Sequence, residues 1–195
     1  VRAGDVKYYD KDGNGTINDS DRIVVGSPNP DFSGGWNNSF TWKGLNLSVF
    51  FTYSYGADVY AQWMTGPTRL GNYQAILQEW ADNRWTGPGT TNEYPRAVYS
   101  YHGNNNRSST YYLKDASFIK LKSVMLSYTL PVHWAQAMHM KSVRVYLQGE
   151  NLALMSKYPG WDPEISTSLD PSLAGIDNYG VPAPRIFKAG INITF

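Results

Sequence analysis

Apolar and polar residues alternate with a period of two over much of this chain. In "LNLSVFFTYSY", Leu45, Leu47, Val49, Phe51, Tyr53 and Tyr55 are apolar or aromatic, while Asn46, Ser48, Thr52 and Ser54 are polar, with Phe50 the exception. The preceding "WNNSFTW" alternates in part. Trp36, Phe40 and Trp42 share one parity, and Asn37, Ser39 and Thr41 the other. The two runs meet at Lys43-Gly44, a two-residue connection suited to a tight hairpin. The C-terminal stretch repeats the pattern, with Phe187, Ala189, Ile191, Ile193 and Phe195 against Lys188, Gly190, Asn192 and Thr194. Two further runs, 117–130 and 142–155, complete five strands. In the first of them the phase slips near Ser123, which predicts a β-bulge.

The connections alternate in length as well. Lys43-Gly44 is very short and the link after Pro131 is about ten residues, whereas 61–108 and 157–184 are long. The first long connection includes "YQAILQEWADNRW", a candidate helix. Long and short connections joining antiparallel strands fit an up-and-down transmembrane β-barrel, with long loops outside and short turns in the periplasm. Parity agrees. If the last strand ends in the periplasm, every long connection falls on the outer side, together with the segment before the first strand. Phe195 then sits on the outward face. Five strands cannot close a barrel, and an open edge in lipid is too costly. The all-β reading therefore makes residues 1–195 the last five or so strands of a larger barrel. The start, "VRAGDVKYYD", without an initiator Met or a signal-type segment, is read in the same sense. The competing architecture is a soluble β-sandwich with decorated loops.

Composition narrows the function classes. Charged residues make up 17% and aromatics 15%, with a net charge of +1, so polarity comes from Asn, Ser, Thr, Gly and Tyr. No basic cluster supports nucleic-acid binding. There is no cysteine, which removes disulfides, thiolate zinc sites and thiol nucleophiles. No apolar run reaches the 18 residues of a membrane-spanning helix.

One stretch carries metal chemistry. "DKDGNGTINDSD" (10–21) places oxygen ligands at the spacing of an EF-hand-type calcium loop: Asp10, Asp12, Asn14, Thr16, Asn18 and Asp21, with Gly15 at the sharp turn and Ile17 as apolar anchor. It departs from that pattern in Asp21, where a longer Glu normally binds through both oxygens. Weaker affinity than a calcium sensor follows. The flanking "GDVKYY" and "RIVVGSPNP" cannot form EF-hand helices, so the loop reads as a brace between strands. The plain alternative is a metal-free Asx-rich turn.

In combination, four ordered blocks resemble the C-terminal part of SusC/RagA-type TonB-dependent outer-membrane transporters. They are "GDVKYYDKDGNGTINDSDRIVVGSPNPDFSGGWNNSFTWKGLNLSVFF", "YYLKDASFIKLKSVMLSYTLP", "VRVYLQGENLALMSKYPGWDPE" and "APRIFKAGINITF". The resemblance implies a 22-stranded barrel in the bacterial outer membrane and an importer of nutrient oligomers, glycan or peptide. It also implies a SusD-type lipoprotein capping the mouth, and TonB acting through an N-terminal plug region that is not in this chain. The rival reading is a secreted calcium-stabilised β-sandwich that binds carbohydrate.

Catalysis finds little support. His102, His133 and His139 form no recognisable triad spacing, and "WDPE" offers Asp162 and Glu164 as a carboxylate pair only in a loop context. No catalytic residue is assigned. Trp36, Trp42, Trp63, Tyr53, Tyr55 and Tyr60 are expected to form a membrane-interface girdle rather than a sugar-stacking platform. The stretches 79–89 and 102–109 are expected to be solvated outer loops.

Overall fold

The structure, a computed structural model, describes residues 1–66, 75–99, 105–164 and 173–195. It divides into two compact units. One comprises Asn29–Asp58, Asp115–Ile165 and Val181–Phe195, and the other Val1–Pro28, Val59–Lys114 and Ser166–Gly180.

The first unit is a five-stranded antiparallel sheet. Its strands are β1 (Phe32–Trp42), β2 (Leu45–Tyr55), β5 (Phe118–Thr129), β6 (Ser142–Ser156) and β8 (Ile186–Thr194), adjacent in that order. These are the five expected strands, and each pairs with its neighbour in chain sequence, as an up-and-down sheet requires. Lys43 and Gly44 make the tight turn, both with positive φ (47° and 87°). Gly44 suits this backbone because a Cβ there would stand 2.6 Å from the Thr129 carbonyl oxygen. The link after β5 holds a short helix, α2 (Val132–Ala137), which alternation alone could not reveal.

Directly paired residues share a face, so the register sorts the sheet. Phe40 faces Leu47, Leu47 faces Leu126, Leu126 faces Leu147, and Leu147 faces Ala189. The same holds along the row Trp36, Phe51, Leu121 and Ala153. One face is therefore predominantly apolar from edge to edge, with Asn38 opposite Val49 the polar exception on β1. The expected bulge restores it, because the β2–β5 register shifts between Phe50 and Phe51, leaving Lys122 as the extra residue. Leu121 and Ile119, of opposite parity to Val124 and Leu126, thereby stay on the apolar side.

The second unit holds a small sheet in the order β4–β3–β7, formed by β3 (Asp58–Ala61), β4 (Leu113–Asp115) and β7 (Ile176–Asp177). β3 and β7 run parallel. Its core includes Val59, Ala61, Met64, Trp80 and Tyr112, all buried. The candidate helix appears as α1 (Gln78–Asn83), shorter than its pattern, before a Gly-Pro-Gly run that cannot continue it. Residues 73 and 74 of that stretch lie outside the described residues. No helix among the described residues is long and apolar enough to cross a membrane, which says nothing of strands.

Candidate functional site

Two features have functional geometry: the two-faced sheet and the acidic loop.

The apolar face of the sheet is open. Trp36 is 62% exposed, Leu147 61% and Phe187 77%. A contiguous apolar surface of this size marks contact with a membrane or a partner. The strands run 11, 11, 12, 15 and 9 residues, long enough to cross a hydrocarbon core when tilted. No charged residue of the five strands lies on this face. The charges gather on the other face or at the bulge, and each is engaged. Lys188 Nζ lies 2.6 Å from Glu150 Oε1, and Arg144 Nη2 donates to Ser127 Oγ at 2.9 Å. Lys120 meets Asp162, and Lys122 lies 3.3 Å from Glu164 Oε2. Around them stand hydroxyls and amides such as Ser39, Thr41, Asn46 and Ser48, with Asn46 Nδ2 donating to Thr41 Oγ1 at 2.8 Å.

Chain direction places the connections. The starts of β1, β5 and β8 and the ends of β2 and β6 lie at one end of the sheet, where the long connections depart. Lys43-Gly44 and the α2 link occupy the opposite end.

In the acidic loop, carboxylate oxygens of Asp10, Asp12 and Asp21 lie within 4.8 Å of one another. Local hydrogen bonds explain the convergence. Asp10 accepts the N–H groups of Gly13 and Gly15, both at 2.8 Å. Asp21 accepts from the N–H of Lys11 at 2.9 Å and of Asn18 at 2.7 Å. Asn18 and Asp21 form a reciprocal capping box on a short 3-10 turn, Asp19–Asp21. Gly15 has φ 79°, the left-handed turn that position six demands. The bond from the Asn18 N–H, joined by that from the Lys11 N–H and opposed by burial, holds the Asp21 carboxyl below the usual carboxylate range.

The donor set suits a hard divalent cation, because oxygen atoms converge and the nearby carboxylates carry the charge. Not every expected ligand points inward. Asn14 turns its oxygen to the Thr16 N–H at 2.7 Å and its Nδ2 to Asp12 at 2.7 Å. The Thr16 carbonyl accepts from Asn18 Nδ2 at 3.2 Å. Asp10, Asp12 and Asp21 are thus brought together, while Asn14 and Thr16 serve the loop's own hydrogen bonding.

Residues distant in sequence clamp this loop. Arg107 Nη1 donates to the Ile17 carbonyl at 2.7 Å, and the Arg107 N–H to Tyr8 Oη at 3.2 Å. Arg96 Nε donates to Asp5 at 2.6 Å, and Asn105 Oδ1 accepts the Val6 N–H at 2.9 Å. Burial raises the Asp5 pKa, but the bonds from Arg96, the Arg2 N–H and Asn105 outweigh it and keep the carboxyl below its usual value. This corrects the expectation of plain solvated loops: Trp80 is 2% exposed, and Asn105 and Arg107 tie their loop to the N-terminal segment. No spacing rule could have found them, with partners some ninety residues away.

The remaining sequence candidates separate. Trp36, Trp42, Tyr53 and Tyr55 lie on the apolar face of the sheet. Tyr60 and Trp63 belong to the other unit, where Tyr60 meets Tyr112 edge to face at 5.9 Å. His133 lies exposed on α2 and His139 just beyond it, while His102 lies outside the described residues.

A polar-and-apolar antiparallel wall with its long loops at one end is the architecture of a strand-built membrane protein. No family model matches the chain. TonB-dependent receptor P26 of Formosa agariphila is 35% identical over 198 residues, covering 99% of this chain and 20% of that protein. TonB-dependent receptor SusC of Bacteroides thetaiotaomicron is 25% identical, covering 96% of this chain and 17% of that protein. The structure of the RagAB peptide transporter superposes with a TM-score of 0.72 at 26% identity, over 88% of this chain and 18% of that chain. The chain is homologous to SusC/RagA-type TonB-dependent receptors and spans about a fifth of their length. TonB-dependent receptors are outer-membrane proteins, and this relationship places the chain there and not among enzymes.

Proposed function

We infer that residues 1–195 are the C-terminal strands of a 22-stranded transmembrane β-barrel that imports nutrient oligomers, glycan or peptide, with energy relayed by TonB. The apolar face meets lipid, the polar face lines the lumen, and the long connections surround the outer mouth. A SusD-type lipoprotein caps that mouth. The observation that carries this reading is the segregation of charge: the apolar face holds none, and it is open along its whole width. The RagAB relative, named as a peptide transporter, supports import and a two-component assembly. A β-sandwich binding module would bury such a face against a second sheet, and here Trp36, Leu147 and Phe187 are bare. In cells making the full-length protein, oligomer uptake should cease when an uncoupler collapses the inner-membrane proton gradient. Uptake that continues unchanged would remove the importer reading.

Calcium at Asp10, Asp12 and Asp21 braces the outer loop in this reading, with the Asn14 and Thr16 oxygens joining on rotation. Purified full-length protein should contain a calcium ion that an Asp10→Ala/Asp12→Ala double variant lacks, measured by elemental analysis after desalting. Equal calcium contents would reduce the loop to an Asx-rich turn.

A further inference from the structure

Near the long-connection end of β5, the polar face is covered. Phe118 and Lys120 are buried, while Ile119 between them, on the apolar face, is 53% exposed. Tyr158, Asp162 and Pro163, from the segment that follows β6, are buried too. Lys120 Nζ donates to Asp162 Oδ1 at 2.9 Å and Oδ2 at 2.7 Å, and also to Glu164 Oε2. The side chains of Lys120 and Asp162 are only 4% and 8% exposed. Asp162 Oδ1 accepts the Glu164 N–H at 3.0 Å, which fixes the turn around the carboxylate. The root of the segment is tied as well: Ser156 Oγ donates to the Ser117 carbonyl at 2.8 Å, and the Tyr158 N–H to Ser156 Oγ at 3.1 Å. Across the strand pair from Lys120, the Thr52 hydroxyl has lost solvent and has no hydrogen-bond partner among the described residues.

Burying an ammonium and a carboxylate yields little net stability, because desolvation offsets the attraction. Such a pair instead selects one arrangement over others, since any placement that separates the partners leaves a buried charge unpaired. A polar turn with no such anchor would be free to lie in water.

We propose that residues 157–164 form a fixed lip, folded over the lumen side of the wall, and that Lys120 is the positioning residue that holds it. The lip narrows the outer mouth at the β5–β6 wall. This rests on the polar face being the lumen face, which the test examines separately.

This segment has no cysteine, so once any cysteine elsewhere in the full-length protein is replaced by serine, single reporters can be introduced here in intact cells. Ser48→Cys on the polar face should react with a water-soluble maleimide, and Leu47→Cys on the apolar face should not. The reverse result would overturn the wall assignment itself. Thr52→Cys reports on the lip. It should label slowly with Lys120 present and about tenfold faster, or more, with Lys120→Met. Lys120→Arg should restore slow labelling. If the single variant fails to accumulate, Lys120→Met with Asp162→Asn leaves no unpaired buried charge and should label fast. With Ser48 and Leu47 behaving as expected, equal Thr52→Cys rates with and without the pair would overturn the lip.

Discussion

Full-length protein carrying Val124→Arg should fail to reach the outer membrane in normal amounts. Val124 lies midway along β5, between Val49 and Gly149 on the apolar face. Arginine at the lipid midplane of a barrel costs about 2–4 kcal/mol. That is a large share of a typical folding free energy of about 5–15 kcal/mol. Ser48→Arg, on the polar face proposed to line the lumen, should change stability by no more than about 0.5 kcal/mol. Urea-dependent refolding into lipid vesicles measures both. Equal effects on the two faces would contradict the assignment of lipid and lumen sides.

The second large effect concerns the 195-residue chain expressed alone in water, where it should aggregate rather than remain monodisperse. β1 and β8 are edge strands, of 11 and 9 residues, each with one side's backbone groups unpaired in the sheet. In lipid every unpaired N–H or C=O costs several kcal/mol. In water the same edges template association, and the bare apolar face reinforces it. In the proposed barrel, further strands would pair both edges and the face would meet lipid. Light scattering of the refolded segment gives the answer. A soluble monomer would return the chain to the β-sandwich reading.

The legibility of this protein was uneven for physical reasons. Period-two alternation revealed the five strands because the two faces of the sheet demand opposite chemistry of adjacent residues, so each strand records both faces in its own sequence. Even the bulge was visible, as a phase slip near Ser123, one residue from the extra residue Lys122. The acidic loop was visible because its oxygens come from a dozen consecutive residues. "YQAILQEWADNRW" misled as to length, since a helix pattern says nothing of the tertiary cost of continuing it. Tyr60 and Trp63, expected as girdle residues, belong to the unit with the small sheet, where Tyr60 packs against Tyr112.

The loop at 10–21 shows the division within one site. Its spacing alone placed Asp10, Asp12 and Asp21 as ligands, and local N–H bonds suffice to bring them together. Its clamp by Arg107, and Asp5 by Arg96, was invisible. "WDPE" divides similarly: the carboxylates were plain, but nothing local paired Asp162 with Lys120, 42 residues earlier.

The sequence by itself determined the strands, their two faces, the placement of long and short connections, and the set of acidic oxygens. These depend on solvent and on neighbours a few residues away. Only the tertiary structure decided which charges are buried together, which loops are clamped, and where the polar face is covered. Those contacts join residues that sequence distance leaves unrelated, and the low dielectric of burial makes their pairing obligatory.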